Sequence, residues 1–155
     1  MKRQDKTNYY LDIAAAVLTR STCLRRKYGA VIVKDDEIVS TGYNGAPRGR
    51  KNCADEGRCV REKLGVSHGE RYELCRSVHA EANAIIPASR EKMLGATLYL
   101  AGCDTAGTIG AESCSMCKRL IINAGISRVI CRTAPEKFTV VSVREWIDTD
   151  DTNGG

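Results

Sequence analysis

Leu11, Ala14, Ala15 and Leu18 repeat at helical spacing, which predicts an amphipathic helix over residues 8–20 with Thr7 as its N-cap. Two strand-forming runs follow, residues 29–34 and 37–42, and the Asp35-Asp36 pair between them predicts a tight β-hairpin. From 44 to 76 the pattern breaks down. Pro47, five glycines and three cysteines (Cys53, Cys59, Cys75) interrupt any sustained apolar period, which predicts a long loop with at most a short helix near 60–64. Residues 79–90 return to helical spacing, with Ala80, Ala84 and Ile85 on the inner face, although Pro87 kinks or shortens the far end. An apolar strand at 97–101 leads into a loop of glycine and small polar residues at 102–113. A helix at 114–123 is stopped by Gly125, and strands at 128–131 and 139–143 precede a short helix around Trp146. This alternation of helices and strands predicts an α/β fold, a three-layer α/β/α sandwich around a mixed central sheet of about five strands.

A chain of 155 residues with 43% hydrophobic and 28% charged positions suits one soluble domain, placed at 1–147, with a polar tail at 148–155 expected to be disordered. No apolar run approaches the ~18 residues of a membrane span, and the basic start has no apolar signal-peptide core. The expectation is a cytoplasmic protein. In a reducing compartment eight cysteines point to metal ligands rather than disulfides. The net charge of +5 is uneven. Residues 1–78 carry 16 basic against 10 acidic groups (+6), and residues 79–155 carry 8 against 9 (−1). This excess suits a solvated basic face or a phosphate-bearing small ligand held by the N-terminal half. It is too small for a nucleic-acid-binding stripe.

The most specific chemistry lies in His79-Ala80-Glu81 and Cys114-Ser115-Met116-Cys117, 35 positions apart from His79 to Cys114. His-x-Glu alone is common, and Cys-x-x-Cys alone serves redox and structural zinc sites equally well. In this order they match the signature of zinc nucleobase deaminases, His-x-Glu then Pro-Cys-x-x-Cys, except that Ser113 stands at the proline position. One imidazole and two thiolates leave a tetrahedral zinc one open position, as catalytic sites require. Both motifs fall at predicted helix starts, where backbone N–H groups favour thiolate over thiol. The i, i+3 spacing puts Cys114 and Cys117 on one face. Zinc lowers the pKa of water toward ~7. Glu81, a carboxylate beside the metal rather than a ligand, is the candidate to take that water's proton and return it to the leaving group.

Three segments carry a resemblance to a known family: Cys23-Leu24-Arg25-Arg26-Lys27-Tyr28-Gly29-Ala30-Val31-Ile32-Val33, Gly42-Tyr43-Asn44-Gly45-Ala46-Pro47-Arg48-Gly49, and His79-Ala80-Glu81-Ala82-Asn83-Ala84-Ile85. The chain resembles the deoxycytidylate (dCMP) deaminases of the zinc-dependent cytidine/deoxycytidylate deaminase superfamily from about residue 10 to 130, and looks closest to a bacterial branch associated with late-competence proteins. The resemblance implies the cytidine-deaminase-like form of the sandwich and hydrolysis of dCMP to dUMP and ammonia, supplying thymidylate synthesis. The alternatives are a deaminase of another cytosine nucleoside or nucleotide, or a non-catalytic zinc-stabilised competence or nucleic-acid-binding module. A retained Glu81 speaks against the last, since a structural zinc has no need of it.

The resemblance also implies further roles. Asn44 would bond the sugar hydroxyl, with a plain Asn-Gly turn as its other reading. Ala80 would contact the substrate. Ser113 would offer its carbonyl to the substrate amino group, and its hydroxyl is a candidate helix cap. Arg25 and Arg26 are candidates for the 5′-phosphate. Gly42, Tyr43, Gly45, Arg48, Arg50 and Lys51 are candidates for an allosteric triphosphate, with dCTP and dTTP as effectors and Mg2+ accompanying the nucleotide. A homo-oligomer, dimer or hexamer, is expected. Some relatives carry a second, structural zinc. Cys23 and Cys53 match positions used there, with Cys59 and Cys75 completing a four-thiolate site or His68 as the other fourth ligand.

Overall fold

The computed structural model describes residues 2–67, 71 and 74–149. The first helix, α1 (Lys6–Leu18), begins and ends two residues earlier than the spacing predicted. Asp5 rather than Thr7 is the N-cap, because its carboxylate accepts the Asn8 backbone N–H at 2.9 Å. The hairpin forms as predicted, β1 (Lys27–Lys34) and β2 (Glu37–Tyr43), with Asp35 and Asp36 both at positive φ in the turn. The long loop holds two single-turn helices, α2 (Cys53–Glu56) and α3 (Val60–Lys63). The first was missed, and a capping box from Asn52 and Asp55 is the local signal for it.

The helix expected over 79–90 is two pieces, α4 (Ala80–Ile85) and α5 (Arg90–Met93). Pro87 cannot continue the hydrogen-bond ladder, and Ser89 caps the new start by accepting the Lys92 N–H. The stretch 102–113 is not all loop. Strand β3 (Thr97–Asp104) runs three residues further than predicted and folds back into β4 (Gly107–Ile109), with the Asp104 carboxylate accepting the Ala106 N–H in the turn. Then come α6 (Ser115–Ala124), β5 (Arg128–Ala134), β6 (Lys137–Ser142) and α7 (Val143–Asp148), which carries Trp146. Of the polar tail, residues 150–155 lie outside the described residues.

The sheet therefore has six strands rather than about five, in the order β2-β1-β3-β5-β6 with β4 on β3. It is mixed: β3 and β5 run parallel, the other pairs antiparallel. Alternation along the central strands feeds two apolar clusters on opposite faces. Val31, Val33, Tyr99, Ala101 and Ile130 pack against Tyr10, Leu11, Ala14 and Leu18 of α1. Ala30, Ile32, Leu98, Leu100 and Val129 pack against Ala80 and Ala84 of α4 and Ile121 and Ala124 of α6. That is the three-layer α/β/α arrangement. No helix among the described residues is long and apolar enough to cross a membrane.

Two glycines let helices sit directly on the sheet. A Cβ at Gly29 would collide with the α1 backbone at Ala14 and Leu18, and one at Gly42 would lie 2.5 Å from the Ala80 carbonyl oxygen and 2.7 Å from the Asn83 carbonyl carbon. Gly42 thus has a packing role: it sets how closely β2 approaches the helix that begins after His79.

Candidate metal and substrate site

The two short motifs meet because α4 and α6 lie side by side on one sheet face with their N-termini together. His79 is the N-cap of α4 and Glu81 sits in its first turn. Cys114 is the N-cap of α6 and Cys117 sits in its first turn. Cys114 itself, not the Ser113 hydroxyl, caps α6: its sulfur accepts the Cys117 N–H at 3.5 Å. His79 Nδ1 lies 3.4 Å from each of the two sulfurs. Zinc bonds of ~2.3 Å to sulfur and ~2.0 Å to nitrogen at a tetrahedral angle require an N···S separation of about 3.5 Å. The donor set fits a zinc ion, and it is the only trio of His, Cys, Asp or Glu ligand atoms among the described residues gathered within 4.8 Å.

Of the three donors, electrostatics in the metal-free site favour the ligating form of Cys114 alone. A hydrogen bond from the Cys117 thiol, reinforced by His79 and the Cys117 N–H, pulls the Cys114 thiol well below the ordinary range against the opposing effect of burial. The same bond, with burial, pushes Cys117 up: the pair readily gives up its first proton and holds the second. His79 is shifted upward, mainly by its bond with Cys114. Glu81 is 5% exposed, and burial raises its pKa, opposed by its own backbone N–H, Ser113 and His79. Ser113 is 4% exposed and close enough to influence Glu81, yet its Oγ makes no hydrogen bond of ordinary length.

His79, Ala80, Glu81 and Cys114 line a cavity of about 120 Å³. Asn44, Arg25 and Arg26 also line it, as expected, and so do Tyr28, Arg61, Ser77 and Glu112, which sequence reasoning did not single out. Arg25 Nε is paired with Glu62 at 2.8 Å. The Asn44 side chain is largely committed within the protein. Its Oδ1 accepts from Ser21 Oγ (2.6 Å) and the Tyr28 N–H (2.8 Å), and its Nδ2 donates to the Arg26 carbonyl (2.9 Å), which leaves one Nδ2 hydrogen.

The remaining candidates fall elsewhere. Gly42, Tyr43, Gly45, Arg48, Arg50 and Lys51 do not line this cavity. Their segment is tied to α4 instead: Asn83 Nδ2 donates to the Tyr43 carbonyl at 2.8 Å, and Gly45 bridges to Val78 through two backbone bonds. Cys23, Cys59 and Cys75 do line the cavity. Cys53 is buried, its thiol pushed up by desolvation first and then by the negative charge of those three neighbours. The four are neighbours, but the described residues do not draw any three of their sulfurs within 4.8 Å. His68 lies outside the described residues.

Residues 4–133 match the family model described as the cytidine and deoxycytidylate deaminase zinc-binding region. A deoxycytidylate deaminase of Mycobacterium phage D29 is 42% identical over 135 residues, covering 84% of this chain and 96% of that protein. ComE operon protein 2 of Bacillus subtilis is 32% identical over 131 residues, covering 83% of this chain and 60% of the Bacillus protein. The chain spans only 37% and 48% of the lengths of two yeast deoxycytidylate deaminases that it also matches. Among solved structures, the dCMP deaminase of cyanophage S-TIM5 in complex with dCMP and dUMP is similar with a TM-score of 0.57 and 25% identity, covering 83% of this chain and 82% of that one.

Proposed function

The chain belongs to the cytidine and deoxycytidylate deaminase zinc-binding family, and from that premise we propose that it hydrolyses dCMP to dUMP and ammonia, with residues 1–147 as one catalytic unit. The observation that carries this reading is the gathering of His79 Nδ1 with the Cys114 and Cys117 sulfurs next to a cavity whose wall includes His79, Cys114 and the buried carboxylate of Glu81. His79, Cys114 and Cys117 would hold zinc, which would supply a water acidic enough to act as a nucleophile at neutral pH. Glu81 would take a proton from the attacking water and deliver it to ring N3, then take the second proton from the hydroxyl left on the ring carbon and pass it to the amino group, which departs as ammonia as the carbonyl forms. Its burial suits the task, because a carboxylate kept out of water holds a proton more readily than an exposed one. Ser113 offers its carbonyl to the amino group, Ala80 flanks the ring, and the remaining Asn44 N–H meets a sugar hydroxyl. Following the release of ammonia from dCMP, cytidine and dCTP, with zinc quantified in the same preparation, tests the reading. Turnover of dCMP well above the others is expected, and a zinc-loaded protein that turns over none of the three overturns it.

Arg25 and Arg26 face the 5′-phosphate. Replacing either with alanine is expected to raise the KM for dCMP much more than that for deoxycytidine. The Arg25 effect should be the smaller, since Glu62 already offsets its charge. Equal changes for both substrates would remove these arginines from the phosphate site.

A second, structural zinc on Cys23, Cys53, Cys59 and Cys75 is supported by the closeness of Cys23, Cys59 and Cys75 to Cys53, near enough to act on its thiol. Such a metal would pin the loop at 44–76 to the segment before His79, and binding to the folded state alone would make stability zinc-dependent. About two zinc ions per chain are expected. Cys53→Ser should lower the melting temperature and the zinc content while the surviving folded protein keeps its turnover. One zinc per chain with an unchanged melting temperature would refute the second site. The same reading includes dCTP and dTTP as effectors, with Mg2+, at the segment containing Gly42, Tyr43, Gly45, Arg48, Arg50 and Lys51. It also includes a dimeric or hexameric assembly and a cytoplasmic location.

A further inference from the structure

Arg61 is 6% exposed, lies on a helix of only four residues, and forms part of the wall of the cavity that His79, Glu81 and Cys114 also line. Neither apolar cluster includes a residue of α3, so the depth of Arg61 is not a by-product of core packing. We propose that Arg61 anchors the 5′-phosphate of the nucleotide, and so sets the preference for a nucleoside monophosphate over the free nucleoside. This assignment rests on the deaminase reading of the site.

Two features favour Arg61 as the principal anchor. The first is depth. A guanidinium screened from water attracts a phosphate dianion far more strongly than one at a wet surface. The second is rigidity. Arg61 Nη2 donates to the Ser67 carbonyl at 2.9 Å, and the Val66 N–H donates to the Arg61 carbonyl at 2.9 Å. The side chain is ordered before substrate arrives, so less rotamer freedom is lost on binding. A guanidinium presents five N–H donors in a planar fork, so a bond to one carbonyl is compatible with phosphate contacts from the same group.

The competing role for Arg61 is to brace the 61–67 turn, and the test separates the two. Zinc-loaded full-length wild type, Arg61→Met and Arg61→Lys are titrated calorimetrically with dUMP and with deoxyuridine, unreactive ligands that differ only by the phosphate. Ammonia release from dCMP is followed in parallel. In Arg61→Met the ratio of dUMP to deoxyuridine affinity should fall about 100-fold, and in Arg61→Lys by about 10-fold, as expected for charge-assisted bonds that are lost or halved. An unchanged ratio overturns the proposal, whether both affinities hold or both weaken together, and so does a wild type that binds dUMP no better than deoxyuridine. Should Arg61→Met fail to fold, the ratio in Arg61→Lys decides on the same terms. Arg61-dependent binding of dUMP without ammonia release from dCMP would uphold the phosphate assignment while overturning the deaminase reading.

Discussion

Glu81→Gln is expected to keep the zinc and the fold while losing turnover of dCMP by about 10⁴-fold, the upper end of what one proton-transferring side chain contributes. Glutamine matches glutamate in size and shape, and position 81 is packed in the first turn of α4 against the sheet. The amide can still accept a hydrogen bond, but it can neither take a proton from water nor return one to the leaving group. Glu81 serves twice in the cycle, so no other carboxylate can restore half of its work. Glu112 lines the same cavity but is exposed, without the burial that raises the Glu81 pKa. Zinc content equal to wild type with turnover lost confirms the assignment, and substantial remaining deamination would overturn it.

The same substitution has an opposite effect on stability in the metal-free protein. Burial raises the pKa of Glu81 above its unfolded value, so the folded state favours the protonated form. The ionised carboxylate is therefore a cost to folding at neutral pH, and the cost vanishes below the unfolded carboxylate pKa of ~4.3. Metal-free Glu81→Gln should melt no lower than metal-free wild type at pH 7, and the two should converge as the pH falls toward 4. A mutant markedly less stable at pH 7 would mean that the Glu81 carboxylate holds the fold together.

The constellation proposed here as catalytic was legible in the sequence because the chemistry it would perform needs particular residue types at fixed local spacings. His79 and Glu81 must share one helix start, Cys114 and Cys117 one helix turn, and the structure brings these two starts together as that logic requires. The hairpin was legible because alternation and a two-residue turn are local signals. What stayed hidden depends on contacts made across the fold. Strand β3 continues to Asp104 because β1 and β4 supply pairing partners on either side, although Gly102-Cys103-Asp104 has weak strand propensity. Arg61 was one basic residue in a loop-rich stretch until the fold set α3 against the cavity. The Asn44 amide could be tied to the sequence motif but not to Ser21, Arg26 and Tyr28, which surround it only once β1 and the loop before it are placed.

Loss of either thiolate ligand is the second change expected to be severe, and the two cysteines should differ in an informative way. Removing Cys114 or Cys117 leaves His79 and one sulfur, too few donors to hold zinc tightly. Each variant should lose one zinc per chain and lose turnover well beyond the ~100-fold that follows from disturbing a mere supporting contact. Their structural costs diverge. Cys114 is the N-cap of α6, so Cys114→Ala also strips the acceptor of the Cys117 N–H, a loss of about 1 kcal/mol for an N-cap. Serine is a good cap, so Cys114→Ser should restore the melting temperature of the metal-free protein without restoring zinc. Cys117 is buried, so Cys117→Ser places a hydroxyl where little water reaches, and Cys117→Ala should be the milder replacement there. The expected pattern is therefore serine better than alanine at 114, alanine better than serine at 117, and neither residue supporting turnover at either position. Zinc content and activity equal to wild type in any of the four variants would show that the metal is not held by this pair.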